Sequence, residues 1–201
     1  MKLNLFFAAA VLVFAVSGAA WYVTSHDRAG AMARNTPNAA SLQELAKGPI
    51  ANFTLISDDK TAPDLPFVDG NGKKRKLSDF RGKILLVNFW ATWCAPCRKE
   101  MPSLDALKAD LGGADFDVLP ISLDHSGAGT VRQFLASVKA THVGVYVDPT
   151  GRLGRSMDAF GLPMTVLISR QGREIGHLIG PADWNSKAAE KLIRTAIAAK
   201  L

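Results

Sequence analysis

Cys94 and Cys97 are the only cysteines of the 201-residue chain, and two residues separate them in the stretch FWATWCAPCRKEMP. Thiols at this spacing can bind a metal, form a structural disulfide or exchange electrons. Structural zinc needs four ligands, whereas this chain offers one cysteine pair and four scattered histidines. A disulfide around two residues removes little entropy from the unfolded chain. The pattern favours redox chemistry and predicts no bound metal or cofactor, although two thiolates alone could hold copper(I).

The position of the cysteines between a strand and a helix supports the redox interpretation. The apolar run KILLVNF, which ends at Phe89, predicts a strand buried on both faces, and a helix is expected from about Cys97 to Leu111. Cys94 then lies at the helix N-terminus, where free N–H groups and the helix dipole stabilise a thiolate. Cys97, one turn later, is expected to be more buried and to attack a mixed disulfide formed on Cys94.

Two neighbours of the cysteines are assigned to the site as substrate-binding residues. Pro96 suits the first turn of a helix, because its missing N–H has no partner to lose there. Trp93 is expected to shield the thiols, with packing as an ordinary aromatic side chain as the alternative.

The rest of the chain from Ala62 alternates strands with helices, which predicts an α/β fold with a sheet covered on both sides. The turn Asp69–Gly72 predicts a β-hairpin. The runs MTVLIS and EIGHLIG predict an antiparallel pair, and the last residues, WNSKAAEKLIRTAIAAKL, predict an amphipathic helix.

The stretch ILLVNFWATWCAPCRKEMPSL, taken together with GLPMTVLISRQGREI, resembles the thioredoxin superfamily and, more closely, its TlpA, ResA and CcmG branch. The resemblance covers roughly residues 62–201. It implies a thioredoxin-like fold with an N-terminal β-hairpin extension and one extra βα unit, expected between ISLDHSGAG and VGVYV. It also implies thiol:disulfide interchange with client proteins.

The resemblance assigns roles to further residues. Pro102 matches the proline that kinks the active-site helix, and Pro163 matches a cis-proline opposite the cysteines. The backbone of Leu162 is then expected to pair with a substrate strand. Glu100 matches a proton-transferring acid of ResA-like proteins, with a solvated helix carboxylate as the alternative. Asn88 stands where thioredoxin has a buried acid, so proton transfer is left to Glu100, water or the substrate.

The N-terminus predicts the location. Residues Leu3 to Val23 are almost entirely apolar and long enough to cross a bilayer as one transmembrane helix. We predict an uncleaved anchor over residues 1–23, a flexible tether over 24–61 and a thioredoxin-like domain over 62–201. A signal peptide cleaved near Ser17–Ala19 is the alternative. A single N-terminal span normally acts as an export signal, so the domain is expected in the periplasm, attached to the inner membrane.

The charge pattern argues against a nucleic-acid partner. The formal net charge is +6, but the basic residues are scattered apart from the run Lys73–Lys76. Such a short run usually marks a solvated hairpin. We expect a monomer that binds no nucleic acid.

The direction of electron flow follows from the resemblance. Ala95–Pro96 between the cysteines is closer to reducing members than to strong oxidants such as DsbA. TlpA-like proteins imply clients among copper proteins of cytochrome oxidase assembly, either copper chaperones or an oxidase subunit. The ResA and CcmG relatives imply apocytochrome c and cytochrome c maturation instead. Either role requires an electron donor, implied to be a membrane thiol reductase of the CcdA or DsbD type.

Two other functions compete with a reductase. A peroxiredoxin would have Thr or Ser three residues before its reactive cysteine, and Ala91 occupies that place here. A copper-handling protein of the Sco type would have three residues between its cysteines, one more than this chain has. We therefore predict a protein-disulfide reductase.

Overall fold

The residues that the computed structural model describes, 42–56, 59–199 and 201, form an eight-stranded mixed sheet flanked by helices. The strands are β1 (Thr54–Leu55), β2 (Phe67–Asp69), β3 (Lys74–Arg75), β4 (Ile84–Trp90), β5 (Phe116–Ser122), β6 (Tyr146–Val147), β7 (Met164–Ile168) and β8 (Glu174–Ile179). Their order across the sheet is β1–β8–β7–β4–β5–β6–β2–β3. β4 and β5 run parallel, as do β5 and β6, and the other neighbours are antiparallel.

β4 is a central strand of the sheet, and all seven of its residues are buried. It pairs with β5 on one side and with β7 on the other. An apolar run of branched residues suits such a strand, because both of its faces contact other side chains. The strand predicted from KILLVNF is confirmed, and it ends at Trp90, four residues before Cys94.

Helices cover both faces of the sheet, and they are α1 (Ala95–Leu111), α2 (Ala128–Ser137), α3 (Arg152–Ser156) and α4 (Lys187–Ala198). Ile84 and Leu86 of β4 share one hydrophobic cluster with α1, α2 and α4, whereas Leu85 and Val87 share another with α3. Alternate residues of a strand point to opposite faces, so the two clusters lie on opposite sides of the sheet. The predicted α/β fold with a sheet covered on both sides is confirmed.

Both predicted additions to the fold are present. β2 and β3 form the hairpin around Asp69–Gly72, with Phe67 opposite Arg75. The extra unit consists of α2 and β6, which lie between β5 and α3 in the chain. β6 pairs in parallel with β5 on one side and antiparallel with β2 on the other, so the insert connects the hairpin to the rest of the sheet.

The predicted flexible tether over residues 24–61 is wrong for much of the part that the structure describes. Leu42, Ile50 and Phe53 are buried in the same cluster as α1 and α4. β1 also pairs with the edge strand β8. The Ala-, Asn- and Pro-rich composition of this segment indicated a linker, but a few well-spaced apolar side chains are enough to fix it on the sheet and on α4.

The predicted anchor over residues 1–23, and the first part of the predicted tether, lie outside the described residues. Within the part of the chain that the structure describes, no helix combines the length and the apolar character needed to cross a bilayer.

Candidate active site

The two cysteines lie at the start of α1, at the carboxyl end of β4. Cys94 is the N-cap residue of α1, and its Sγ accepts a hydrogen bond from the backbone N–H of Cys97 at 3.3 Å. Pro96 is in the first turn of the helix. The chain folds this way because an N-cap acceptor and a first-turn proline both suit the start of a helix. The predicted position of Cys94 at the helix N-terminus is confirmed.

The two thiols differ in accessibility. The sulfur atoms of Cys94 and Cys97 are joined in a disulfide. Cys94 is 6% exposed, whereas Cys97 is fully buried. The prediction that Cys97 is the more buried of the two is confirmed. An incoming thiol or disulfide therefore has access to Cys94 first.

The charges around the start of α1 favour an anion. No acidic residue occupies the first turn of the helix. Arg98 and Lys99 follow in the next turn with exposed side chains. The guanidinium carbon of Arg98 lies 5.5 Å from the ring centre of Phe134, which places its positive charge against α2. A thiolate on Cys94 is therefore supported by the helix dipole and is not opposed by a neighbouring first-turn carboxylate.

Glu100 is a buried carboxyl group and not the solvated helix carboxylate that was the alternative. It is 4% exposed and lies one turn after Cys97 on α1. Asn88 Nδ2 donates to its Oε1 at 2.8 Å, and the backbone N–H of Ala182 donates to its Oε2 at 3.1 Å. It also lines a shallow surface pocket with Lys99 and residues 181–183, which gives the carboxyl a route to solvent.

Burial changes the acidity of this group. Desolvation raises the pKa of Glu100 from 4.5 to about 7, although the hydrogen bonds from Ala182 and Asn88 act in the opposite direction. A carboxyl group with a pKa near neutrality can both accept and release a proton under ordinary conditions. Because Glu100 follows Cys97 by three residues, the two side chains share one face of the helix.

Asn88 connects Glu100 to a neighbouring strand. Its Nδ2 also donates to Oγ1 of Thr165 at 2.9 Å, and Asn88 and Thr165 are register partners in β4 and β7. All three side chains are buried. The amide that replaces the buried acid of thioredoxin therefore positions an acid on the adjacent helix.

The predicted cis-proline loop lies beside the end of β4. The Leu162–Pro163 peptide bond is cis, which confirms that prediction. Pro163 immediately precedes Met164, the register partner of Phe89, so the loop lies at the same edge of the sheet as the cysteines. Its C=O accepts the N–H of Gly180 at 2.8 Å. Among the described residues, no hydrogen bond uses the backbone of Leu162, so that backbone is free to pair with a substrate segment.

Three large apolar side chains are exposed near this edge. Trp93 is 71% exposed, which rules out the alternative that it is a packed core aromatic. Phe160 is 80% exposed and lies in the loop before Leu162. Ile179 is 57% exposed and is the register partner of Met164. Exposed apolar groups of this size next to a reactive centre are typical of a protein-binding surface.

The structure brings most of the predicted site residues to one edge of the sheet. Trp93, Cys94 and Pro96 surround the start of α1, and the loop with Leu162 and Pro163 follows from the pairing of β4 with β7. Pro102 lies inside α1, as predicted. The roles proposed for these residues stay predictions.

Sequence reasoning missed two residues of this edge, Phe160 and Asp124. Phe160 has no motif of its own, although its place three residues before Pro163 was a usable signal. Asp124 is buried at the end of β5 and bonds to Thr92, and no pattern in the sequence connects these two positions.

Within the part of the chain that the structure describes, no three or more His, Cys, Asp or Glu side chains come close enough together to bind a metal ion.

Known proteins resemble this chain over the same region. The family model described as Redoxin matches residues 56–193. The thiol-disulfide oxidoreductase ResA of Bacillus thuringiensis subsp. konkukian is 31% identical over 121 residues, which are 60% of this chain and 69% of that protein. The thiol:disulfide interchange protein HelX of Rhodobacter capsulatus is 30% identical over 151 residues, which are 75% of this chain and 77% of that protein.

A solved structure supports the same assignment. A crystal structure described as a thiol:disulfide interchange protein DsbE, from Chlorobium tepidum, superposes with a TM-score of 0.62 and 32% sequence identity. The match covers 71% of this chain and 99% of that one. Sequence and fold therefore indicate the same group of thiol-disulfide oxidoreductases.

Proposed function

Because this chain belongs to the redoxin family, and within the thioredoxin superfamily to the TlpA, ResA and CcmG type, we propose that it reduces disulfides in exported client proteins. Its enzyme class is thiol:disulfide oxidoreductase. The observation that carries the proposal is the asymmetry of the cysteine pair, with a Cys94 that is 6% exposed at the start of α1 and a fully buried Cys97 one turn later.

The reaction proceeds in two exchange steps. In the reduced protein the Cys94 thiolate attacks one sulfur of a client disulfide, which forms a mixed disulfide and releases the other client sulfur as a thiolate. The Cys97 thiolate then attacks the Cys94 sulfur. This second step releases the client as a dithiol and forms the Cys94–Cys97 disulfide, so that two electrons have passed to the client. Burial of Cys97 keeps it from reacting with other disulfides.

Glu100 supplies the proton transfer that the second step needs. Cys97 must lose its proton before it can attack, and its burial keeps bulk water away. The ionised carboxylate of Glu100, one turn along the helix, accepts that proton. Glu100 then releases the proton to solvent through the pocket that it lines with Lys99 and residues 181–183. Asn88 keeps the carboxyl in place throughout.

The cycle requires an external reductant, because each turnover ends with Cys94 and Cys97 joined in a disulfide. We place the domain in the periplasm, attached to the inner membrane by residues 1–23. That compartment is kept oxidising, so a reductase there needs a dedicated electron source. A membrane thiol reductase of the CcdA or DsbD type fits this need, since it would donate two electrons by the same exchange chemistry. Attachment would raise the effective concentration of the two partners.

The proposed clients are copper proteins of cytochrome oxidase assembly that bind the metal through a cysteine pair. Support comes from the resemblance to TlpA and from the exposed apolar groups Trp93, Phe160 and Ile179, which suit a protein substrate better than a small molecule. Such clients bind copper only with both thiols reduced, so a local reductase is required.

Capture of mixed disulfides in cells tests this proposal. In the Cys97→Ser variant, Cys94 can still attack a client disulfide, but no second thiol is present to release the client. The variant should therefore accumulate disulfide-linked clients that mass spectrometry can identify. Cys94→Ser is the matched control and should capture none. Captured copper-site proteins would support the proposal. Captured apocytochromes c would show instead that the clients belong to cytochrome c maturation. Equal capture by both variants would contradict the assigned roles of the two cysteines.

A further inference from the structure

Asp124 is a buried carboxylate for which the exchange steps above have no use. It is 4% exposed and follows β5 at the carboxyl end of the sheet. Ser122, two residues earlier, is the register partner of Trp90, the last residue of β4. Asp124 therefore lies beside the segment that leads from β4 to Cys94.

Four hydrogen bonds account for the position of Asp124. Its Oδ2 accepts the backbone N–H of Thr92 at 2.8 Å and the hydroxyl of Ser122 at 2.6 Å. Its Oδ1 accepts the hydroxyl of Thr92 at 2.8 Å. The backbone N–H of Asp124 donates to the Ser122 oxygen at 3.0 Å.

A buried carboxylate must be compensated in some way. Among the ion pairs of the described residues, none includes Asp124. Its charge is therefore stabilised by hydrogen bonds from Thr92 and Ser122, which are charge-assisted and stronger than neutral ones. Such bonds fix the geometry of the groups that donate them.

Thr92 is the residue through which this network reaches the cysteines. Only residues 91–94 separate the end of β4 from the start of α1, and Thr92 is the second residue before Cys94. In the same segment the N–H of Cys94 donates to the C=O of Ala91 at 3.1 Å. With both the backbone and the side chain of Thr92 bound to Asp124, the path of the chain into Cys94 is fixed.

We propose that Asp124 is a positioning residue for thiol–disulfide exchange, acting through Thr92 to hold the Cys94 sulfur in line for attack. The inference rests on the exchange activity and not on the identity of the client or on the direction of electron flow. A sulfur must approach a disulfide along a defined line, and small displacements of a reacting group cost large factors in rate.

A second buried carboxylate of the chain provides a matched control. Asp105 is 7% exposed and accepts hydrogen bonds from the N–H groups of His142 and Val143 and from the His142 ring. It lies on α1 but holds the loop before β6, not the segment before Cys94. Asp105→Asn should therefore lower stability much as Asp124→Asn does, without displacing the sulfur.

The test uses the full chain in its reduced form and glutathione disulfide as the probe. Cys94 attacks the probe and releases one glutathione thiolate, and Cys97 then displaces the second, which closes the Cys94–Cys97 disulfide. The rate constant is measured against pH until it reaches a plateau, where the fraction of thiolate no longer limits it. Unfolding midpoints of all variants are measured in parallel.

We expect Asp124→Asn to lower the plateau rate constant about tenfold. Thr92→Val, which loses the hydroxyl bond but leaves the Asp124 charge in place, should lower it several-fold, and Thr92→Ser should retain the wild-type value. The double variant should be no slower than Asp124→Asn alone, because both changes break the same connection. Asp105→Asn should keep the wild-type rate.

Two results would overturn the inference. One is a plateau rate constant that is unchanged from the wild type in both Thr92→Val and Asp124→Asn. If Asp124→Asn does not fold, the Thr92→Val rate constant alone decides the outcome. The other is an equal loss of rate in Asp105→Asn, which would reduce Asp124 to general stabilisation. A wild-type protein that does not react with the probe would instead refute the exchange activity itself.

Discussion

The side-chain amide of Asn88 donates to the carboxyl group of Glu100 at 2.8 Å, and both groups are almost completely buried. The same amide nitrogen bonds to Thr165, so one side chain connects β4, α1 and β7. A buried acid is thus present near Cys97, but it comes from the helix instead of from β4. Burial within this arrangement raises the pKa of the Glu100 carboxyl well above that of an exposed glutamate.

Glu100→Gln is expected to remove a pH-dependent loss of stability. Burial raises the pKa of Glu100 from 4.5 to about 7, so the folded protein binds more protons than the unfolded chain between these values. The free energy of unfolding of the wild type therefore falls as the pH rises from about 4.5 to about 7, and the loss persists above that. This decrease in the free energy of unfolding is on the order of 3 kcal/mol. Urea unfolding at a series of pH values measures the decrease.

The exposed Glu44 offers the control for this prediction. Glu44→Gln should keep the pH dependence of the wild type, whereas Glu100→Gln should flatten it across the interval below about pH 7. The same slope in all three proteins would mean that the Glu100 carboxyl is solvated in solution.

Glu100→Gln is also expected to slow the second exchange step. An amide cannot accept the Cys97 proton, and loss of a positioned base typically costs a factor of about 100 or more. In the wild type the rate of release of a mixed disulfide on Cys94 should rise through about pH 7 as Glu100 ionises. Rapid-quench kinetics with a Cys94-linked peptide would measure this rate. Release without that inflexion in the wild type would leave Glu100 as a structural residue only.

Phe160→Ser is expected to separate protein substrates from small ones. The side chain is 80% exposed, so its loss should change stability by no more than about 0.5 kcal/mol. Truncating a residue that is a hot spot of a binding surface costs more than about 1 kcal/mol of binding, which is about fivefold or more in affinity. Reduction of a client disulfide should slow by that factor, whereas reduction of glutathione disulfide should not. Equal rates with the client would show that it binds elsewhere.

Phe53→Ala is expected to destabilise the fold by about 3 to 5 kcal/mol, as large-to-small core changes of this kind do. The Phe53 ring is 1% exposed and lies so close to Gly176 of β8 that any side chain there would collide with it. Thermal or urea unfolding measures the loss, and Asn52→Ala, at an exposed neighbouring position, should show almost none. An unaffected Phe53→Ala would restore the tether interpretation of this segment.

The sequence was informative where the signal is local. The apolar run of β4, the cysteine spacing and the first-turn proline lie within 14 residues, 84–97, and together they predicted the strand, the helix and the position of Cys94 at the helix N-terminus. GLPMT likewise marked the cis-proline loop, whose position beside β4 then follows from strand pairing.

The remaining features depend on contacts between distant parts of the chain. Thr92 and Asp124 are 32 residues apart, and only the parallel pairing of β4 with β5 brings them together. Phe53 is buried because β1 pairs with β8, more than 100 residues away along the chain. The exposure of Trp93 depends on which groups surround it in space. A single sequence shows none of these pairings, so composition alone predicted a tether for this segment.

The reduction potential decides the direction of electron flow, and we expect it to be nearer the −270 mV of thioredoxin than the −120 mV of DsbA, both approximate values. A strong oxidant needs a stabilised reduced form. Ala95–Pro96 between the cysteines resembles the dipeptide of reducing members more than that of strong oxidants such as DsbA, which favours the lower potential. Equilibration of the full chain in detergent against glutathione and thioredoxin standards measures the potential, with thiol trapping in cells alongside. A value near that of DsbA, with the pair mostly oxidised in cells, would make the protein an oxidase.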